Sequence, residues 1–295
     1  MKNKYVFTVV MLLVIMFAGM GLTSAYVNHE GGGTKDFKVV TSFYPMYIAA
    51  KNVIGDCSGV TLQNLSEPQT GCMHDYQLTA GDMVSLSSAD VFVINGGGME
   101  SFLPEVAKQY PHLTVIDTCR QIELAGDNAH VWMSISDYMV QVQTIAQGLA
   151  AKDPAHEEVY QKQCTQYLKK LEGLQRKQQE IQKEGRACNV VLFHEAFEYI
   201  ARDYGLTVAG SMDLDEERQV SAGEAADMVS QIKEHEVKMI LAEELYGKDM
   251  CETMQKETDV FAVYLNTCVR GDDDADSYLN AMEENLELMH QALVQ

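Results

Sequence analysis

The stretch from Asp153 to Glu184 reads DPAHEEVYQKQCTQYLKKLEGLQRKQQEIQKE. Asp153 and Pro154 are typical of a helix start, because proline lacks an N–H that would have no partner there and its fixed φ suits the first turn. A helix of roughly 30 residues rises about 45 Å at 1.5 Å per residue, which is longer than a small lobe needs. Its apolar positions are few, so the pattern predicts a stiff strut between two lobes, with a coiled-coil arm as the alternative.

Short β-branched runs alternate with helical patterns on both sides of this stretch. The strand-like runs are residues 37–42, 60–65, 91–95 and 113–117 before it, and residues 190–193, 206–209, 239–242 and 260–265 after it. Such alternation predicts parallel sheets covered by helices on both faces. The predicted fold class is therefore α/β, with two lobes, each a mostly parallel sheet flanked by helices, joined by one long rigid helix.

The length of the chain is consistent with two lobes, and its charge argues against a nucleic-acid-binding protein. Its 295 residues are enough for two lobes of ordinary size. Acidic residues outnumber basic residues 43 to 22, for a formal net charge of −21. Because nucleic-acid binders neutralise phosphates with Lys and Arg, this balance argues against a nucleic-acid partner. An acidic surface also concentrates cations, although solubility alone explains most acidic proteins.

The N-terminus resembles an export signal, with a basic start at Met1–Lys4 and an apolar run over residues 5–22. Small residues end this run at Ala25, but its length approaches the roughly 20 residues that span a bilayer. A cleaved signal and a retained anchor both stay open, and either one predicts an extracytoplasmic protein, membrane-associated or freely secreted. The predicted organisation is a signal peptide or anchor at 1–25, a flexible tether at 26–36, a first lobe at 37–152, a linking helix at 153–184 and a second lobe at 185–295.

The seven cysteines contain no C-x-x-C pair, which argues against a zinc ribbon or a redox motif. An exported chain can form disulfides. Cys57 and Cys72 lie close in sequence and flank one strand-like segment, so theirs is the pairing to test first.

Three of the eight histidines share a context that the others lack. His74 lies in a loop before a predicted helix, His130 directly precedes another helix, and His194 follows a predicted strand. Open parallel sheets bind ligands beyond the carboxyl ends of their strands, where these side chains would lie. Three imidazoles with an oxygen or water form an ordinary zinc set. Spacing alone does not separate this set from structural histidines.

Three further features have simpler interpretations. Gly96–Gly98 lacks the Gly-x-x-x-x-Gly-Lys pattern of a phosphate cradle and is interpreted as a strand-to-helix turn. Trp132 is interpreted as a packing residue that holds the loop of His130. Glu243, at the end of a strand, is interpreted as structural or solvent-exposed.

Five segments carry motifs in a fixed order along the chain. They are VTSFYP at 40–45, CMHDYQLTAGD at 72–82 for P-H-x-Y-x-P-[ST]-x-x-D, NGGGME at 95–100 for N-G-x-G-x-E, HVWM at 130–133 for H-x-W-[LM], and FHEAFEYI at 193–200 for F-H-[DE]-A-[FY]-x-Y. Together they resemble the solute-binding proteins of zinc and manganese ABC importers, from about Phe37 to the C-terminus.

The resemblance implies two α/β lobes joined by a long helix, with a metal ion bound where the lobes meet. It also implies that the first three ligands are His74, His130 and His194. Zinc-type receptors are similar to this chain in having His at the third position, where manganese receptors tend to have Glu.

The fourth position departs from the family pattern, since the acidic ligand that the resemblance implies falls on Asn266. An amide oxygen is a weaker ligand than a carboxylate. Water, Asp75, Glu195, a carboxylate of the loop at 272–276 and the thiol of Cys268 stay open as the fourth ligand. The His-rich acidic loop of many zinc receptors is also missing, because only His112 lies between Met83 and His130.

The resemblance implies an extracytoplasmic, monomeric substrate-binding protein that captures a divalent metal ion and delivers it to the membrane permease of an ABC importer. Zn²⁺ is the predicted ion and Mn²⁺ the second choice. No catalytic turnover is expected. The competing hypotheses are a manganese- or iron-specific receptor of the same family, a zinc-dependent hydrolase, and a metal-stabilised adhesin.

Overall fold

Two four-stranded parallel sheets form the framework of the computed structural model, which describes residues 36–66, 74, 76–214 and 219–294. The first sheet has the order β2-β1-β3-β4, with β1 at Phe37–Thr41, β2 at Val60–Asn64, β3 at Val91–Ile94 and β4 at Thr114–Asp117. The second has the order β6-β5-β7-β8, with β5 at Asn189–Leu192, β6 at Thr207–Ser211, β7 at Met239–Ala242 and β8 at Phe261–Tyr264. The predicted α/β fold is confirmed.

Each sheet has its topological switch point between its first and third strands. From β1 the chain moves outward to β2 and then returns to β3 on the other side, and β5 repeats this pattern with β6 and β7. Loops that leave two such neighbouring strands diverge, which opens a crevice at their carboxyl ends. The crevices at β1/β3 and β5/β7 are therefore the places where the fold favours a ligand.

Helices flank both sheets. They are α1 at Tyr44–Ile54, α2 at Ala80–Ser88, α3 at Leu103–Gln109, α4 at Ile135–Lys152, α5 at Glu157–Glu184, α6 at Phe197–Tyr204, α7 at Ala222–Glu234, α8 at Glu244–Glu257 and α9 at Ser277–Val294. Capping boxes begin α2 and α7, where Thr79 and Ser221 accept from the backbone three residues on. Among the described residues, no helix combines the length and apolarity needed to cross a bilayer.

The predicted strut is α5, a helix of 28 residues. It begins at Glu157 because Pro154–His156 forms a separate 3₁₀ turn, in which Asp153 accepts a hydrogen bond of 2.7 Å from Tyr160. One side of the helix is buried at intervals of three or four residues, at Tyr160, Cys164, Tyr167, Leu171, Leu174 and Gln178. This stripe packs on α1, α4 and α9 of the same chain, so α5 is an integral part of the fold and not a coiled-coil arm.

The apolar core is continuous between the two lobes. Val190 and Leu192 of β5 point to one face of the second sheet and join the cluster that fills the first lobe, together with the buried side of α5. Val191 points to the opposite face, where it packs in a separate cluster with Met228 of α7 and Met254 of α8. Successive side chains of a strand alternate between faces, so the second sheet divides the core.

The Gly96–Gly98 turn is structural, as interpreted from the sequence. All three glycines have positive φ, and a Cβ on Gly96 would overlap the carboxylate of Asp117. The buried carboxylate of Glu100 accepts hydrogen bonds from the backbone N–H groups of Asn95, at 2.8 Å, and Gly96, at 3.0 Å. The Asn95 amide then donates to the carbonyl of Ala129 at 2.9 Å, which fixes the loop before His130.

Some of the sequence predictions concern residues outside those that the structure describes. These are the signal or anchor at 1–25, all of the tether at 26–36 except Asp36, and Cys72 with its proposed pairing to Cys57. They stay predictions.

Candidate metal site

The three candidate histidines lie on loops at the carboxyl edges of the two sheets. His74 forms part of a turn before α2, with its side chain 34% exposed. His130 is buried directly before a 3₁₀ turn at Val131–Met133. His194 is buried between the end of β5 and the start of α6. Two loops of the first lobe and one of the second therefore supply the imidazoles.

The structure brings these three imidazoles together. The ring centroids of His74 and His130 are 5.0 Å apart, and those of His130 and His194 are 5.1 Å apart. His130 is therefore close to both of the other rings. The neighbouring Trp132 ring is 5.0 Å from His130 and completes the wall behind it.

A carboxylate joins the imidazoles. Oε1 of Glu195 lies 3.5 Å from Nε2 of His74 and 3.4 Å from Nδ1 of His130. His74, His130 and Glu195 each offer one ligand atom within 4.8 Å of the others. Zinc bonds of about 2.0 to 2.1 Å place two ligands of a tetrahedral site roughly 3.3 to 3.4 Å apart, so the contact between His74 and Glu195 has the length that a shared ion requires.

The burial of the Nε2 atom of His74 is a second observation that is consistent with a metal ion at this place. This atom is buried and forms no hydrogen bond with another described residue. Buried polar atoms are nearly always paired, so each exception calls for an explanation. An imidazole lone pair that faces a carboxylate from another loop is suited to a cation between them.

The environment of His130 keeps its imidazole neutral. Burial, with His194 and His74 as further contributions, lowers the pKa of His130 well below its ordinary value. A neutral imidazole keeps the lone pair that a metal ion needs. Of its two ring nitrogens, Nδ1 lies 2.9 Å from Oδ1 of Asn128.

Trp132 packs as interpreted from the sequence. Its ring is fully buried and meets the edge of Phe43 at 5.0 Å, and its Nε1 donates to the carbonyl of Thr267 at 2.9 Å. The hydroxyl of Tyr278 donates to the carbonyl of Trp132 at 2.6 Å. The turn after His130 is thus held by groups from the second lobe.

Glu243, interpreted from the sequence as structural or solvent-exposed, lies beside His194 and is a further candidate for the site. Its Oε2 is 3.8 Å from Nδ1 of His194, and its side chain is only 13% exposed. Its Oε1 accepts from Nη1 of Arg270 at 2.8 Å, while Nη2 of the same guanidinium donates to the hydroxyl of Tyr246 at 3.0 Å. Glu243 directly follows β7, at the β5/β7 switch point of the second sheet. This position in the sequence pattern could have indicated that it lies near the candidate site.

Asn266 contributes its side-chain oxygen to its own loop. The exposed amide accepts a hydrogen bond of 2.7 Å from the backbone N–H of Cys268, and the Asn266 backbone pairs with the side chain of Asn285. The role of Asn266 as the fourth ligand stays a prediction.

The Cys268 thiol and the acidic loop at 272–276 have surroundings less suited to a fourth ligand. Burial raises the pKa of the Cys268 thiol, which favours its protonated form over the thiolate that binds metals. In the acidic loop, Asp273 pairs with Lys51 and Asp276 pairs with Lys170, so both carboxylates already have cationic partners. Asp75 lies outside the described residues.

Comparisons with known proteins agree with the fold over nearly the whole chain. The family model described as zinc-uptake complex component A, periplasmic, matches residues 39–292. The chain is 27% identical over 312 residues to the high-affinity zinc uptake system protein ZnuA of Bacillus subtilis, covering 96% of this chain and 97% of that protein. It is 25% identical over 309 residues to the manganese-binding lipoprotein MntA of Halalkalibacterium halodurans, covering 100% of both.

The fold of this chain is also similar to that of a solved structure. The Zn(II)-bound ZnuA-like domain of AdcA from Streptococcus pneumoniae superposes with a TM-score of 0.77 at 27% sequence identity. The superposition covers 88% of this chain and 100% of that domain. The similarity therefore includes both lobes, while the metals in the names of the relatives differ.

Proposed function

The chain belongs to the family of periplasmic zinc-uptake components, the solute-binding proteins of metal ABC transporters, and from this premise we propose that it captures zinc and delivers it to a membrane permease. Proteins of this family are extracytoplasmic receptors and not enzymes. The proposal adds the ion, its ligands and its delivery to that membership. Zinc is here the transported substrate.

The convergence of side chains from both lobes carries the proposal. His74 and His130 come from the first lobe, and the His194–Glu195 pair comes from the second. Ligand atoms of His74, His130 and Glu195 lie within 4.8 Å of one another, and the ring centroid of His194 is 5.1 Å from that of His130, although the residues are far apart in sequence. An ion bound there would hold the two lobes together, and its release to a permease would require only that one side of this shell separates.

The donor set favours zinc over manganese. Three imidazoles and one carboxylate suit a borderline ion, whereas Mn²⁺ prefers a shell with more oxygen ligands. In the first transition series, such a site also binds zinc more tightly than manganese. The lowered pKa of His130 favours metal capture in general, because an incoming ion displaces no proton from this imidazole near neutral pH.

Glu195 is the fourth ligand that the geometry favours over Asn266. Its Oε1 already faces Nε2 of His74 at 3.5 Å and lies beside the His130 ring. Its negative charge also offsets part of the charge of a divalent ion, which a neutral amide does not. The Asn266 oxygen would first have to leave its hydrogen bond to Cys268.

Competition between metals tests the function. The purified chain, freed of metal by a chelator, is offered equimolar zinc, manganese and ferrous iron and analysed by native mass spectrometry. We expect one zinc ion per chain. Manganese or iron bound in preference to zinc would overturn the proposed ion, and a chain that takes up none of the three would overturn metal capture.

Substitutions test the ligands. His194→Ala and His130→Ala should each weaken zinc binding by more than about 100-fold, since losing a ligand exceeds the 10- to 100-fold effect of losing an outer-shell partner. His290→Ala is the matched control, because His290 is half-exposed near Glu184 and away from the cluster. Titration calorimetry with a competing chelator measures each affinity, and equal affinities for His194→Ala and His290→Ala would refute the ligand set.

A second pair of variants tests the fourth ligand. Glu195→Gln keeps the size of the side chain but removes its charge, and it should weaken zinc binding more than Asn266→Ala does. A larger loss of zinc affinity in Asn266→Ala than in Glu195→Gln would instead favour Asn266 as the fourth ligand.

A further inference from the structure

The buried side chain of Asn128 connects the candidate metal site of the first lobe to the second lobe. Its Oδ1 accepts from the backbone N–H of His130 at 3.0 Å and lies 2.9 Å from Nδ1 of the same ring. Its Nδ2 donates to the carbonyl of Glu195 at 2.8 Å and to Oε2 of Glu198 at 2.9 Å. Both donors and both lone pairs of the amide are thus engaged.

The chemistry of these partners fixes the orientation of the Asn128 amide. The backbone N–H of His130 is only a donor, so it must face the amide oxygen. The carbonyl of Glu195 and the carboxylate of Glu198 are only acceptors, so they must face the NH₂ group. A flipped amide would place donor against donor and acceptor against acceptor, which removes the usual ambiguity between nitrogen and oxygen.

The same orientation decides the tautomer of His130. Because an oxygen acceptor faces Nδ1, this ring nitrogen carries the proton, and the lone pair is on Nε2. Metal-binding histidines depend on such outer partners to orient the ring and select the nitrogen that binds. Glu195 also lies 3.4 Å from Nδ1, but the shorter contact to Asn128 determines the direction of the N–H.

The backbone of Asn128 is held from the second lobe as well. The hydroxyl of Tyr199 donates to the Asn128 carbonyl at 2.6 Å and accepts from the N–H of Ala125 at 3.3 Å. Glu198 and Tyr199 both belong to α6, the helix that follows the His194–Glu195 pair. The loop before His130 and the turn after His194 are therefore joined through both the side chain and the backbone of one residue.

We propose that Asn128 is a positioning residue: its amide selects the Nδ1–H tautomer of His130 and holds this ring at a set distance from the His194–Glu195 turn before any metal arrives. The proposal rests on the proposed function for its effect on affinity, but its effect on the tautomer concerns the metal-free chain alone. Preorganisation raises affinity because the ion does not have to order the two loops as it binds.

Three variants separate the roles of the amide. Asn128→Ala removes both the acceptor for His130 and the donors to Glu195 and Glu198. Asn128→Asp keeps the acceptor for His130, removes the donors, and adds a negative charge that faces Glu198. Asn52→Ala is the matched control, since the Asn52 amide also bridges the lobes, donating to the carbonyl of Ala275 at 2.7 Å, but has no contact with the imidazoles.

The first measurement is the tautomer of His130 in the metal-free chain, read from long-range ¹H–¹⁵N correlations of the imidazole and assigned with His130→Gln. We expect the Nδ1–H form in the original chain, in Asn128→Asp and in Asn52→Ala, and a mixture of tautomers in Asn128→Ala. An unchanged tautomer in Asn128→Ala would overturn the proposal. If circular dichroism shows that this variant does not fold, Asn128→Asp carries the test, and loss of the Nδ1–H form there would overturn it.

The second measurement is zinc affinity. Asn128→Ala should bind zinc about 10- to 100-fold more weakly, the effect expected for an outer-shell partner, and Asn52→Ala should bind it as the original chain does. Equal affinities of Asn128→Ala and Asn52→Ala would refute the positioning role. If His130→Ala also leaves zinc binding unchanged, the proposed function fails instead, and the tautomer measurement still decides the role of Asn128.

Discussion

The buried neutral state of His130 predicts how the stability of the metal-free chain depends on pH. Its side chain is fully buried, and burial lowers its pKa well below the ordinary value. In the unfolded chain the same imidazole is hydrated and titrates near about 6.5. At a pH below that value the unfolded state therefore binds a proton that the folded state does not.

The sign and size of the effect follow from this difference. A group whose pKa is lowered by folding destabilises the folded state as pH falls below the unfolded pKa, by up to about 1.36 kcal/mol per pH unit for one proton. Between pH 7 and pH 5, His130 should thus remove up to about 2 kcal/mol from the free energy of unfolding. Burial raises the pKa of Glu100, and this carboxyl therefore stabilises the folded state as pH falls, opposite to His130. The pH dependence of stability of the original chain alone thus does not isolate the contribution of His130.

The comparison with His130→Gln isolates this contribution. Glutamine cannot titrate, but its amide N–H can still donate to Oδ1 of Asn128. Urea unfolding at several pH values, with a chelator present, gives the free energy of unfolding for both chains. The original chain should lose more stability than His130→Gln between pH 7 and pH 5, by up to about 2 kcal/mol. Parallel loss in both chains would show that His130 takes up its proton while folded, and would refute the reasoning.

Three further predictions concern the contacts that hold the site. Leu171→Ala, in the fully buried stripe of α5, should lower the free energy of unfolding by about 2 to 5 kcal/mol in urea titrations, because it opens a cavity among three other helices. Tyr278→Phe leaves the buried carbonyl of Trp132 without this donor and should lower the melting temperature, with a loss of about 1 to 3 kcal/mol. Arg202→Met breaks the pair with Asp137 at 2.8 Å, but the side chain of Arg202 is 40% exposed, so a double-mutant cycle with Asp137→Asn should give a coupling below about 1 kcal/mol.

The sequence by itself determined the secondary structure and its class. The predicted strand at 190–193 and the observed one at Asn189–Leu192 differ by one residue at each end, and α5 ends at Glu184 as predicted. These features depend on side-chain periodicity and on helix-start signals within a few residues, which the sequence contains directly. The 3₁₀ turn before α5 was not predicted, because its bonds from His156 and Tyr160 to Asp153 are a detail of side-chain geometry.

The site was predicted in part, for a physical reason. His74, His130 and His194 could be chosen from their places beside predicted strands and helices, and from motifs that resemble one family. The oxygen ligand that faces these imidazoles could not be chosen from the sequence, because Glu195 and Asn266 both lie on suitable loops. The distances between those loops depend on how the two sheets pack.

Only the tertiary structure decided which residues contact the imidazoles and their loops. Asn128 reaches Glu195 and Glu198, and Glu243 lies beside His194, across gaps that no local pattern encodes. A hydrogen bond forms or fails within a few tenths of an ångström. In this protein such distances between loops are set by the apolar core that runs continuously from the first lobe to one face of the second sheet.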